Sequence, residues 1–347
     1  MFILFVAVIL DSCGSTEDKN SAVAQIPKNS VPDTSYYSGT IDKYPIVMQL
    51  IRKGEVVSGN YYYLNNDGLI GLSGNGAGMR LELEEKVGRE VTGKFYLNLI
   101  KGNGYRGTWK NDKKEFKVNL NRFYIRENIS FSYAKKKLLE NFYTLELKIG
   151  AEKVVTLNDT NVEGGLSIKE IIEEKKENPG VTGSSSSKDS LIWSRNGIIN
   201  LEHFSSYIGN TEYYNYIYSF VDLQSKKYLK PSDIYTDPEK MKRAVIKKIN
   251  DIIDEELKTT NKAEWDGNEY PVGSLEANRD KFYDKDLTNV YLTNEGYFFY
   301  HDWFYSRMDE PFSPNDYLVF RYKEIRPFIN PNGQLNFLLI DPFLNGK

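Results

Sequence analysis

This sequence predicts an α+β fold: an N-terminal all-β meander, closed as a small barrel or sandwich, followed by a C-terminal α+β domain. Three observations carry the prediction. Tyrosine is unusually common, with 26 residues in a chain of 347 that is 14% aromatic and 40% hydrophobic, and a ring that buries while its hydroxyl stays wet suits half-buried strands. Apolar residues in the first third alternate with polar ones between turn-forming dipeptides, the signature of short strands. Only after Asp237 does a long segment keep apolar residues at helical spacing, from Met241 through Val245, Ile249, Ile252 and Ile253.

Length makes about two domains the natural expectation. With 45 basic against 48 acidic residues the formal charge is −3, so no global field draws in nucleic acid, and no nucleic-acid partner is expected. A single cysteine excludes an intrachain disulfide and every thiolate-rich metal site. No cofactor is expected.

The chain opens on ten apolar residues, MFILFVAVIL, far short of the roughly 20 that a spanning helix needs. The run stops at Leu10-Asp11-Ser12-Cys13-Gly14, which resembles a bacterial lipobox. The resemblance implies that residues 1–13 are a lipoprotein signal and that Cys13 is the lipidated residue. It also implies a cell-envelope protein held at a membrane, on a periplasmic or surface-exposed face of an outer membrane. Residues 14–33 are small and polar with Pro27 and Pro32, and read as a tether.

Residues 34–123 form the meander. Turn signals stand at Lys53-Gly54, Asn65-Asn66-Asp67-Gly68, Asn75-Gly76, Lys101-Gly102-Asn103-Gly104 and Asn111-Asp112. They separate about eight strands, which gain most by closing, because closure removes exposed edges. Gly74-Asn75-Gly76-Ala77-Gly78 invites a phosphate-loop reading, but Met79 to Glu84 alternates as a strand where that loop needs a helix. Glu82, Glu84 and Glu85 read as a solvated sheet face.

Residues 124–190 are a junction leading into the second domain, with strands at Thr144–Leu147 and Val154–Leu157. A capping box at Ser167-Ile168-Lys169-Glu170 predicts a helix to about Glu177. Gly183-Ser184-Ser185-Ser186-Ser187 reads as a surface loop. Residues 191–335 make up the C-terminal domain. Within it Asp237 caps the long helix and Pro238 takes its first position. Leu287 to Phe328 holds two alternating aromatic runs with turn chemistry at Pro311, Ser313, Pro314, Asn315 and Asp316 between them. Residues 336–347 read as a tail.

Several stretches of this domain resemble the RsiV-like domain. Ile198–Tyr207 is similar to its strand before a Gly-Gly-Ala-His turn, although this chain has Gly209-Asn210-Thr211-Glu212 there and lacks that histidine. Phe220–Lys227 resembles its Asp-Leu-x-Thr-Gly-Lys hairpin, and Leu229–Tyr235 its Leu-x-Asp-Ile-Phe exit. Leu292-Thr293-Asn294-Glu295-Gly296 and Tyr322-Lys323-Glu324-Ile325-Arg326-Pro327-Phe328 resemble its end. That family includes the lysozyme-sensing part of an anti-sigma factor and the non-catalytic part of peptidoglycan deacetylases. The resemblance therefore implies an extracytoplasmic module that binds a lysozyme-like protein or a cell-wall glycan. Gly59-Asn60-Tyr61 and Gly107-Thr108-Trp109 are similar to motifs of β-meanders found beside such modules.

Catalytic chemistry has few supports. The two histidines, His203 and His301, are nearly a hundred residues apart, and neither a zinc-binding helical pair nor a Gly-x-Ser-x-Gly elbow occurs. Two carboxylates suffice for glycoside hydrolysis, so Glu295 and Asp302, with Asp309 and Glu310 nearby, are the candidates for a glycan hydrolase. A third expectation makes the N-terminal β-module a small-ligand carrier. The leading one is a non-enzymatic envelope binding protein, with Tyr207, Tyr213, Tyr214, Tyr216, Trp303, Phe304 and Tyr305 as candidate ligand contacts.

Overall fold

The computed structural model describes residues 33–66, 68–101, 104–139, 141–156, 184–208, 212–260, 272–305 and 312–344. Cys13 and the tether, the helix expected near 167–177, the Gly209–Thr211 turn, Asp309 and Glu310 lie outside them.

The meander is a closed barrel. Its strands are β1 (Asp33–Ile41), β2 (Tyr44–Lys53), β3 (Val56–Tyr63), β4 (Ile70–Asn75), β5 (Arg80–Val87), β6 (Glu90–Ile100), β7 (Gly104–Lys110) and β8 (Glu115–Phe123). Each pairs antiparallel with the next, and β8 pairs with β1 to remove the last edge. Tight coiling is possible because glycines sit where strands meet. A Cβ on Gly39 would stand 1.8 Å from the Asn119 carbonyl oxygen, and one on Gly107 would stand 1.9 Å from that of Tyr96. Alternation sends Met48, Leu83, Phe95, Val118 and Leu120 inward, where they are fully buried. Inward side chains of the barrel's own strands pack as its core.

Alternation also corrects the acidic run. Glu85 shares the parity of Leu81 and Leu83, so it points inward and is buried, while Glu82 is exposed and Glu84 only half-buried. Three donors meet its carboxylate: the Tyr61 hydroxyl at 2.5 Å, the Trp109 indole N–H at 2.7 Å and the Thr92 hydroxyl at 2.6 Å. The aromatics of the Gly-x-Tyr and Gly-x-Trp motifs thus converge on one buried acid.

A seven-stranded sheet follows, built from β9 (Ser132–Leu139), β10 (Phe142–Ile149), β11 (Glu152–Thr156), β12 (Ser184–Arg195), β13 (Ile198–Ile208), β14 (Glu212–Asp222) and β15 (Lys227–Tyr228). The serine run expected as a loop is the start of β12. It pairs residue for residue with Ser205–Ile208 of β13, and Ser186 Oγ lies 2.7 Å from Ser206 Oγ. Long-range pairing overrides the weak strand preference of serine. One face of this sheet holds Leu145, Leu147, Ile199, Leu201 and Val221 as a small core.

The stretch expected as two aromatic runs contains three strands, β16 (Val290–Leu292), β17 (Tyr297–Tyr300) and β18 (Tyr317–Phe320). The first run folds on itself, with the Thr293 hydroxyl accepting from the N–H groups of Glu295 and Gly296. This sheet docks on β13 through Asn200. Its amide donates to the Val290 carbonyl at 2.9 Å and accepts from the Leu292 N–H at 3.1 Å. Leu229–Tyr235 includes the helical turn α1 (Pro231–Ile234), and the expected long helix is α2 (Pro238–Thr260). Asp237 accepts from the Lys240 N–H at 3.0 Å, and Met241, Val245, Ile249 and Ile253 form the buried stripe.

In the stretch expected as a tail, residues 336–340 and Phe343 are buried instead. Leu335, Phe337, Leu338 and Leu339 enter the main core together with Val47, Tyr62 and Phe123 from the outside of the barrel. The Tyr62 hydroxyl donates to the Leu339 carbonyl at 2.6 Å, and Phe343 packs 5.4 Å from the Tyr62 ring. This segment joins the barrel to the α+β part.

Candidate functional site

The three-stranded sheet has two very different faces. Val290, Leu292, Tyr297, Phe299, Leu318 and Phe320 are buried beneath it. The opposite parity presents Tyr291, Phe298, Tyr300, Tyr317 and Val319, of which the rings are half-buried and Val319 is 42% exposed. On a sheet with one buried face the other is ordinarily polar. Here it is aromatic.

That face continues onto the large sheet. Along β14, residues of one parity change steadily from Phe220, fully buried, through Tyr218, buried, and Tyr216, half-buried, to Tyr214, 49% exposed. Their partners on β13 are Asn200, Glu202, Phe204 and Ser206. Phe204 lies 6.1 Å from Tyr214 and 5.1 Å from Tyr216, Tyr216 lies 6.3 Å from Tyr300, and Tyr300 lies 5.8 Å from Tyr317. Tyr317 is 6.3 Å from Tyr291, which is 5.9 Å from Phe298. All these separations fall within the range of attractive ring pairs.

Polar groups are set into this surface. The Tyr218 and Tyr317 hydroxyls are 2.7 Å apart, and Tyr218 donates to Glu202 at 3.3 Å. Burial, then the hydrogen bond with Tyr317, hold the Tyr218 phenol far above its ordinary pKa, and burial raises that of Tyr317. Both stay protonated, and with the Tyr218 hydrogen given to Glu202 the hydroxyl of Tyr317 donates to that of Tyr218.

Of the residues expected to contact a ligand, Tyr214 and Tyr216 lie on this face. Tyr207 and Tyr213 pair with each other in register positions of the opposite parity. Trp303 belongs to the core: it packs 4.6 Å from His301, and its N–H donates to the Asn315 carbonyl at 3.1 Å. Phe304 is exposed but stands against the edge of Tyr283 and beneath Lys281, and Tyr305 packs on the core. Phe204, Tyr291, Phe298, Tyr300 and Tyr317 complete the face without having been singled out. In Tyr297-Phe298-Phe299-Tyr300 every position is aromatic, so the sequence carries no cue to which parity faces water.

The acids of the hydrolase reading stand on either side of one strand. Glu295 sits in the turn before β17 and Asp302 lies beyond its far end. Strand β17 stands between them in the chain, and the other two candidate acids, Asp309 and Glu310, lie outside the described residues. Burial raises the Asp286 carboxyl against the pull of Lys285 and the Tyr283 backbone, and the Asp302 charge adds the smallest part. His203 is buried against Asp189, with Nδ1 2.6 Å from Oδ1, and Asp189 also accepts from the Thr144 hydroxyl. Among the described residues no group of three or more His, Cys, Asp or Glu is placed to hold a metal. No described helix is long and apolar enough to cross a membrane.

No family model and no curated protein matches the chain. Among solved structures it is similar to a member of the DUF3298 family from Bacteroides fragilis NCTC 9343, at 16% identity and a TM-score of 0.30, over 49% of this chain and 65% of that one. It is also similar to a DUF3298 family protein from Pseudomonas aeruginosa PAO1, at 12% identity and a TM-score of 0.36, over 60% of this chain and 98% of that one. The chain thus spans 65% of the length of the Bacteroides protein. Both scores are below one half, and the fold described above rests on this chain's own strand pairing.

Proposed function

We propose that this chain is a non-enzymatic cell-envelope binding protein, held at a membrane through Cys13, whose aromatic face takes a cell-wall glycan. One observation carries the reading: the outward parity of β17 and β18, continued by Phe204, Tyr214 and Tyr216, is a connected aromatic surface where polar residues are the rule. A contiguous patch of this kind marks an interaction surface. Tyrosine suits a sugar ligand because its ring stacks on C–H faces while its hydroxyl bonds to hydroxyls.

Val319 supports a second reading, in which the partner is a lysozyme-like protein. An exposed aliphatic side chain beside the rings adds nothing to sugar stacking but fills a pocket on a protein. Co-sedimentation of the full chain with purified peptidoglycan tests the first reading, and capture by immobilised lysozyme tests the second. The glycan reading expects sedimentation, weakened about tenfold or more in Tyr214→Ala/Tyr216→Ala and unchanged in Val319→Ser. Lysozyme capture lost in Val319→Ser, without sedimentation, would replace it with the protein reading. Sedimentation unaffected by the double substitution would remove the aromatic face from the account.

A further inference from the structure

At one end of the barrel the inward parity turns from apolar to polar. Leu50 is followed by Arg52 on β2, Leu120 by Arg122 on β8, and Tyr37 is preceded by Ser35 and Asp33 on β1. The three strands are neighbours: Tyr37 pairs with Arg122, and Asp33 with Arg52. With Tyr105 from β7 these side chains line an open depression of about 190 Å³ above the filled core.

Its charges are only partly answered. Arg52 donates to the Gly76 carbonyl at 3.1 Å, and a Cβ on Gly76 would stand 2.7 Å from its guanidinium, so glycine lets the arginine lie against the loop. Arg122 approaches the Asp33 carboxylate only to 3.9 Å and stacks over the Tyr124 ring at 5.0 Å. Arg122 Nε is shielded from water and has no hydrogen-bond partner among the described residues. A buried guanidinium donor left unmatched is costly, and its usual answer is an oxyanion. Two guanidinium groups against one carboxylate leave the mouth with one net positive charge. Ser35 and Tyr37 are both buried; the Ser35 hydroxyl bonds to that of Tyr37, and burial pushes the Tyr37 phenol up to about 12, so it keeps its proton.

We propose that this mouth binds a phosphate group. Donors from β1, β2 and β8 surround the depression from several sides, which suits a tetrahedral anion better than a planar carboxylate. The volume is below the roughly 300 Å³ at which drug-sized ligand sites begin, so the mouth takes a phosphate with a few atoms attached. The site is on the barrel and independent of the aromatic face.

The test uses the full chain as Cys13→Ser, so that no lipid anchor contributes, in buffer free of phosphate and sulfate. Calorimetric titration with inorganic phosphate and with glycerol phosphate is expected to show saturable one-to-one binding that weakens as salt rises. Arg122→Gln weakens it about tenfold or more, and Arg122→Lys, which keeps the charge but loses Nε, does not restore it. Asp33→Asn, at an exposed position, tightens it and shows that the mouth is intact. Flotation with phosphatidylglycerol vesicles, lost in Arg122→Gln, identifies a lipid headgroup as the source; phosphate binding without flotation identifies a soluble phosphate. Absence of saturable binding by both probes and the vesicles, or binding unchanged in Arg52→Gln/Arg122→Gln, overturns the proposal.

Discussion

Glu85 and His301 are both buried titratable groups, and the chain treats them in opposite ways. Glu85 receives three donors inside the barrel, so its carboxylate is matched where it sits. His301 has its Nε2 buried without a hydrogen-bond partner among the described residues and packs between Phe282 and Trp303. Burial alone holds its pKa down to about 4. The folded state therefore resists a proton that the unfolded chain accepts at about 6.5. This contribution is fully present above pH 6.5, shrinks as pH falls toward 4, and totals about 3 kcal/mol. In urea melts across that window, wild type should lose stability steadily and His301→Phe should lose distinctly less. Asp222 acts at lower pH. Burial pushes its carboxyl up, but Arg126, the Gln224 N–H and the Ser225 hydroxyl outweigh this and hold it below its ordinary value. Its contribution is present above about pH 4 and is lost as pH falls through the depressed value. Neither environment was legible from residue type. The parity of Leu81, Leu83 and Glu85 could have placed Glu85 inside, but an acid on a strand is read as solvated unless its donors are known, and Tyr61, Thr92 and Trp109 come from other strands.

Elements differ in how much of their cause is local. Helix α2 is fully local: an Asp cap, a proline at the first position and a stripe at helical spacing, all within one segment. The barrel strands are nearly so, because Lys53-Gly54 and Asn75-Gly76 punctuate them in sequence. Strand β12 is not, since Ser184–Ser187 acquires its conformation from β13. The glycines of the Gly-x-Tyr and Gly-x-Trp motifs were visible as a pattern, but their reason is spatial: the neighbouring strand's carbonyl occupies the place of a side chain. Gly107→Ala accordingly forces backbone apart at a barrel corner and should cost about 3 kcal/mol, the upper end for overpacking. Denaturant melts of the substituted chain check this. A cost below about 1 kcal/mol would mean that the strands yield there easily.

At the scale of the whole molecule, the barrel and the α+β part share a core. Val47, Tyr62 and Phe123 face outward from the barrel and are covered by Leu338, Leu339 and Phe343. Short polar-flanked segments near a chain end read as tails because their partners lie hundreds of residues away, as the Tyr62–Leu339 hydrogen bond shows. A chain truncated after Gln334 should lose this joint. Its barrel and its α+β part should then melt in separate steps, where the intact chain melts in one. The fold class was legible in composition and periodicity, whereas the aromatic face was not, because it is assembled from β13, β14, β16, β17 and β18 together. That face is the central claim, and its most direct test is NMR titration of the tyrosine-labelled chain with soluble peptidoglycan fragments. The account predicts shifts concentrated on Tyr214, Tyr216 and Tyr300, with Tyr61 and Tyr235 in the cores unmoved. Fragments that bind while leaving those three rings unchanged, or that shift no tyrosine at all, would contradict it.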